Sequence, residues 1–242
     1  HERVSLLASS SDVLGNANLP AASRRKLIYG LRRLDADVVI LDLGGDTATS
    51  VLDFFLAADL GVVVTTMEPA SILDAYQFIK LCALRRIQRY LAEHPAPESV
   101  EAGIGEVFSV ANLSGVPVPG LLSEVAHLDP LYAEALSAHL RQLRLFSVIT
   151  MRQRANDGQL VDNLRGVCAR MAGLKLSHLG TIPNDPAVVK SANELRPVLP
   201  NYPLSPASLA LQHLAGALPL PAPASDAEQQ FRAIGEWGSL AS

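Results

Sequence analysis

The chain has 242 residues, 49% of them hydrophobic and 18% charged, so it can bury a sizeable core, and one large domain fits better than two small ones. Its formal charge of -4 supplies no global positive field, so nucleic-acid contact is not predicted and would need a particular surface patch. No apolar run approaches the roughly 20 residues of a bilayer span, and no basic stretch leads into an apolar one at the N-terminus, which argues against membrane insertion and secretion.

The sequence opens at His1 in place of a methionine and runs at once into a strand-like stretch at 4–8, which reads as a cut edge. Helical character follows over 21–34, then four short apolar runs at 38–41, 61–66, 146–150 and 176–182 read as strands. The first three are rich in valine or isoleucine with little polar alternation, as parallel strands covered on both faces are. Between them, 71–91, 131–145 and 159–172 read as helices. The alternation predicts an α/β fold: a doubly wound, mostly parallel sheet with helices on both faces and right-handed crossovers.

Residues 92–130 interrupt the pattern with five prolines and one short candidate helix at 100–110, an elaboration expected over one edge of the sheet. After Leu218 a Pro-Leu-Pro-Ala-Pro-Ala-Ser run reads as a linker, dividing the chain into a domain at 1–218 and a tail at 219–242. In that tail Phe231, Ile234, Trp237 and Leu240 could form a narrow apolar stripe. Its polar positions are mostly acidic, so packing against the body or disorder is expected in preference to membrane binding. Cys82 and Cys168 lie far apart in helical stretches and belong to no Cys-x-x-Cys pair, so they read as buried, reduced thiols of a cytoplasmic protein. The six histidines show no ligand-like spacing, and no Gly-x-Ser-x-Gly elbow is present.

Ligands of parallel sheets sit at the carboxyl ends of strands, which directs attention to the loops after Leu41, Thr66, Thr150 and Ile182. In DVVILDLGGDTATSVLDFF, Asp42 ends a candidate buried strand, and Gly44 and Gly45 permit a tight turn. Such a carboxylate can orient magnesium through its water shell, or it can simply cap the following turn. After the next strand, Glu68 and Pro69 lead into a helix that Ser71 can cap.

These segments, with Tyr76 to Lys80 and the stretch LGTIPNDPAVVKSANELRPVLPNYPLSPASLALQHLA, resemble MinD/ParA-family ATPases, especially the branch of flagellar-number regulators. The match covers most of 33–215. The resemblance implies an ATP switch in spatial organisation, such as flagellar placement, division-site selection or partitioning of DNA or cargo. It also implies ATP and Mg2+ as cofactors and a homodimer holding ATP between subunits. By resemblance Asp42 is the Walker B residue that handles Mg2+ through water, and Gly44 and Gly45 belong to the phosphate-sensing switch. Pro183 and Asp185 would border the adenine, although Asp185 is equally well placed to cap the helix beginning at Pro186. Thr150 stands where the family usually carries an asparagine, and threonine lacks the amide's paired donor and acceptor.

The sequence contains no Gly-x-x-x-x-Gly-Lys-Ser/Thr loop: none of Lys26, Lys80, Lys175 and Lys190 follows a glycine. The loop is expected upstream of His1; the alternative is a non-catalytic docking module of the same fold. A receiver-like phosphoacceptor role for Asp42 ranks below both. Arg85, Arg86 and Arg89 are expected to form a solvated helix face.

Overall fold

The structure, a computed structural model, describes residues 4–7, 19–111, 116–152 and 158–220. The tail from 221 onward, including the apolar stripe expected there, lies outside the described residues, as does Ala8. Three parallel strands form one open sheet in the order β1 (Gly61–Thr65), β2 (Leu145–Arg152) and β3 (Leu176–Pro183). Gly61 pairs with Leu145, and Leu145 in turn with Leu176, so the strands start level.

Helices supply most of the remaining core. α1 (Ala21–Leu31) and α2 (Thr49–Ala57) precede β1, and α3 (Pro69–Glu93) follows it. α3 starts on Pro69, whose missing N–H costs nothing in a first turn, and not at a Ser71 cap; Ser71 instead accepts a hydrogen bond at its carbonyl from Thr65 Oγ1, 2.9 Å. Its buried positions Ala75, Ile79, Cys82, Ala83 and Ile87 recur at three and four residues, so one stripe runs along a helix about 37 Å long. That stripe is the spine of the core. The interruption at 92–130 contains α4 (Glu98–Ala111) and α5 (Val118–Leu128), and α6 (Pro130–Arg141) follows. Ile104, Phe108, Val118, Leu121 and Val125 from α4 and α5 join the same cluster as α3.

α7 (Gly158–Val167) continues into a π-helical turn, Cys168–Ala172, that Gly173 terminates with φ 67, a left-handed conformation glycine adopts without strain. α8 (Pro186–Asn193), the one-turn α9 (Val198–Asn201) and α10 (Pro206–Ala217) complete the described chain. Cys82 and Cys168 are both free and fully buried, and burial pushes their thiols up to about 12 and about 11. Among the described residues no helix is long and apolar enough to cross a membrane.

Three expectations need correction. Residues 38–41 are not a strand: they run without regular structure, and Val38, Val39 and Ile40 are exposed. β-Branched residues favour a pleated surface only when a neighbouring strand offers hydrogen bonds, and among the described residues this segment pairs with none. Residues 4–7 likewise form no strand, with Val4, Leu6 and Leu7 exposed. Arg85 and Arg86 are not a solvated face. Arg85 Nε reaches Asp53 Oδ1 at 2.7 Å, and Arg86 Nε donates to the His139 carbonyl at 3.0 Å, so each clamps α3 to a neighbour.

The sheet is covered unevenly. β1 alternates buried and exposed residues, with Val62 and Val64 on the exposed side and α3 among the elements against it. α10 lies against β3, where Leu214 approaches Gly180 so closely that a Cβ there would meet it at 2.9 Å.

Candidate functional site

The carboxyl ends of β2 and β3 come together. Arg152 pairs with Pro183, and the Asn184 N–H donates to the Arg152 carbonyl at 2.9 Å. The register between these strands shifts between Ile149 and Arg152, and inside the shift Met151 adopts φ 55, a left-handed conformation that costs a non-glycine residue about 1 kcal/mol or more. The irregularity turns the β2 end outward, leaving Met151 exposed. Thr150, one residue before it, is half-buried and donates from Oγ1 to the Thr65 carbonyl at 3.4 Å, which ties the ends of β1 and β2.

Asp185 caps α8. Its Oδ1 accepts from the Ala187 N–H and its Oδ2 from the Ala207 N–H, both at 2.9 Å, so one carboxylate fixes the starts of α8 and α10. The amides of Ala207 and Ala187, with a smaller contribution from Ser205, hold its pKa below the usual carboxylate range despite partial desolvation. Both oxygens are engaged in the scaffold. Pro183 ends β3, and beside it a depression of about 560 Å³ opens, lined by Asn184, Pro186, Val189, Lys190 and Asn193. The depression is shallow and open to solvent along one side of α8. Asn184 is the residue that sequence reasoning passed over, lying between the two positions it singled out; its amide carries both a donor and an acceptor. Lys190 also lies over the Tyr202 ring at 5.4 Å.

Asp42, Gly44 and Gly45 occupy a separate turn ahead of α2. Gly44 has φ 69, which explains a glycine at that position. Asp42 is exposed and, among the described residues, makes no hydrogen bond or ion pair. It therefore ends no strand, contrary to expectation, but its oxygens are free. Asp46 supplies the turn chemistry instead, accepting from the Thr47 and Ala48 N–H groups at 2.6 and 3.1 Å. No hydrogen bond among the described residues joins this turn to the β2 and β3 ends.

No protein-family model matches the chain, and no curated protein matches it. The site must therefore be read on its own residues.

Among the described residues no three His, Cys, Asp or Glu side chains are gathered as a metal site. One further pair invites a catalytic reading. Ser147 Oγ lies 3.2 Å from His178 Nδ1, and His178 Nε2 lies 3.2 Å from Thr181 Oγ1. Ser147 is 1% exposed in the middle of β2, out of reach of any substrate, so the contact is a cross-strand tie. Burial and the Arg165 charge lower the His178 pKa.

Proposed function

We propose that this chain carries part of a nucleotide site of the MinD/ParA kind and belongs to an ATP-dependent, homodimeric cytoplasmic switch in spatial organisation. The observation that carries the reading is the depression that opens past the carboxyl end of a parallel strand, where α/β sheets bind ligands, lined by Asn184 and one side of α8. Asn184 can offer a base edge the amide that Thr150 lacks. Asp42 is suited to accept hydrogen bonds from magnesium-bound water, since magnesium keeps several waters and needs few protein ligands. The Gly44–Gly45 turn allows backbone N–H groups to approach a phosphate. The phosphate-binding lysine loop required for hydrolysis is not in the sequence, so these residues would act on the base and the metal's water shell.

Calorimetry with ATP and magnesium tests this, on the chain itself and on the chain joined to an N-terminal strand and phosphate-binding loop. Binding by the joined form, weakened at least about tenfold by Asp42→Ala, is expected from loss of a charge-assisted contact. Binding indifferent to Asp42→Ala, or absent from both forms, overturns the reading. A docking module of the same fold is the second reading, favoured by the open edge and exposed Val62 and Val64 of β1, and failure of both forms to bind ATP would support it.

A further inference from the structure

Charge is distributed along the chain in blocks. Between Val13 and Leu34 stand five cations and no carboxylate, whereas between Tyr90 and Leu140 stand seven carboxylates and no lysine or arginine. The first block is centred on α1, and the second runs from the end of α3 through α4 to α6, so a net charge of -4 conceals a basic helix and an acidic one.

On α1, Arg25, Lys26 and Tyr29 are exposed within one side of the helix, and Arg33, also exposed, stands in the turn just after it. Arg24 is directed elsewhere, to Asp53 on the body. Arg33 is stacked on Tyr29, 5.3 Å from the ring centre, and donates to its hydroxyl at 2.8 Å, which holds the guanidinium in place on that face. On α4, Glu98, Glu101 and Glu106 are exposed around Ala102 and Gly105, also exposed, and a Cβ added at Gly105 would meet nothing. The outer carboxylates, Glu98 and Glu106, are eight residues apart, about 12 Å along α4, and the cations run from Arg25 in α1 to Arg33 just past its end. Tyr29 stands at the centre of one face and small residues at the centre of the other. Among the described residues no ion pair joins the two helices.

We propose that α1 of one copy docks on α4 of a second copy, Arg25, Lys26 and Arg33 against Glu98, Glu101 and Glu106, with Tyr29 over Ala102 and Gly105. The contact is heterologous: each copy retains one free basic and one free acidic helix, so copies add head to tail, independently of any nucleotide. A nucleic acid fits this face less well, because Leu27 and Leu34, 48% and 41% exposed on the same helix and just beyond it, would gain nothing against phosphates.

Sedimentation velocity on the full chain tests the proposal. At about 50 mM salt the average mass rises with concentration, and at about 500 mM the association weakens at least about tenfold as exposed charges are screened. The doubly reversed variants R25E/R33E and E101K/E106K each stay monomeric alone, and mixing them in equal amounts restores association. All four residues are exposed, and recovery in the mixture itself shows that both variants fold. A parent chain that is monomeric at low salt, variants that associate like the parent, or a mixture that fails to associate overturns the proposal. Association that strengthens with salt also overturns it and points to the apolar face of β1. A monomer that instead binds a duplex oligonucleotide through Arg25 and Arg33 assigns α1 to nucleic acid.

Discussion

Asp53 is a carboxylate that three helices share. It sits on α2, 7% exposed, with Arg24 of α1 at 2.9 Å and Arg85 of α3 at 2.7 Å. Burial opposes its charge, but the hydrogen bonds and charge of Arg85, with Arg24 and Arg89 beyond, outweigh that cost and lower its pKa below the ordinary 3.8. α1 has no buried residue of its own, so this ion cluster and the Arg32 bond to the Ala57 carbonyl are its main polar ties to the body. Replacing Asp53 by alanine leaves two half-buried guanidinium groups facing each other, and a loss of about 2–3 kcal/mol in denaturant unfolding is expected. The pH dependence has a definite sign. A carboxylate with a depressed folded pKa stabilises fully above its unfolded value, so the gap between parent and Asp53→Ala should be flat above about pH 4. It should close as the pH falls below 3.8, where the parent loses the contribution. At this scale the sequence was partly legible. An aspartate directly before a proline left Asp185 as a helix cap one of two readings, and Arg85 gave no sign of its partner, 32 residues away.

Among the elements, α3 packs against α2, α5, α6, α7 and β1, and its last turns are held by a cluster around Tyr90. That ring stacks on His94 at 4.4 Å and meets Tyr132 at 5.9 Å and His139 at 5.0 Å, the last two on α6. Burial, then the charges of Arg86, His94 and Arg89, push His139 down to about 4. Its imidazole is neutral in the fold at pH 6, where half or more of an unperturbed histidine would be charged. A histidine with a lowered folded pKa stabilises above its unfolded value of 6.5, and the contribution is lost as pH falls from there toward 4. Unfolding followed between pH 7 and 4 should therefore show the parent losing stability relative to His139→Phe, whose ring keeps the packing without the titration. An NMR midpoint for His139 near 6.5 would contradict this account. Strands 61–66, 146–150 and 176–182 were legible because each is a short apolar run with a paired neighbour. Residues 38–41 have the same composition but no pairing partner, and composition does not report a partner.

For the molecule as a whole, the uncovered side of β1 is the chief liability. Val64 is 61% exposed on an edge strand of a three-stranded sheet, a surface on which other chains can pair or stick. Val64→Lys should reduce light scattering at high protein and high salt concentration, while changing unfolding stability by only about 0.5 kcal/mol, as exposed substitutions do. Its effect is opposite in salt dependence to that of the reversed charges on α1 and α4, which separates apolar from electrostatic association.

The sequence by itself determined the α/β class, three of the strands, the long helix α3 and the buried thiols. All of these follow from local periodicity, composition or spacing within a few residues. Only the tertiary structure decided that Asp42 lies in an exposed turn, that Asp185 spends both oxygens on two helix starts, and that Asn184 opens onto the depression beside β3. Strand pairing, burial of charge and the meeting of loops depend on residues tens of positions apart, and no local pattern encodes those distances.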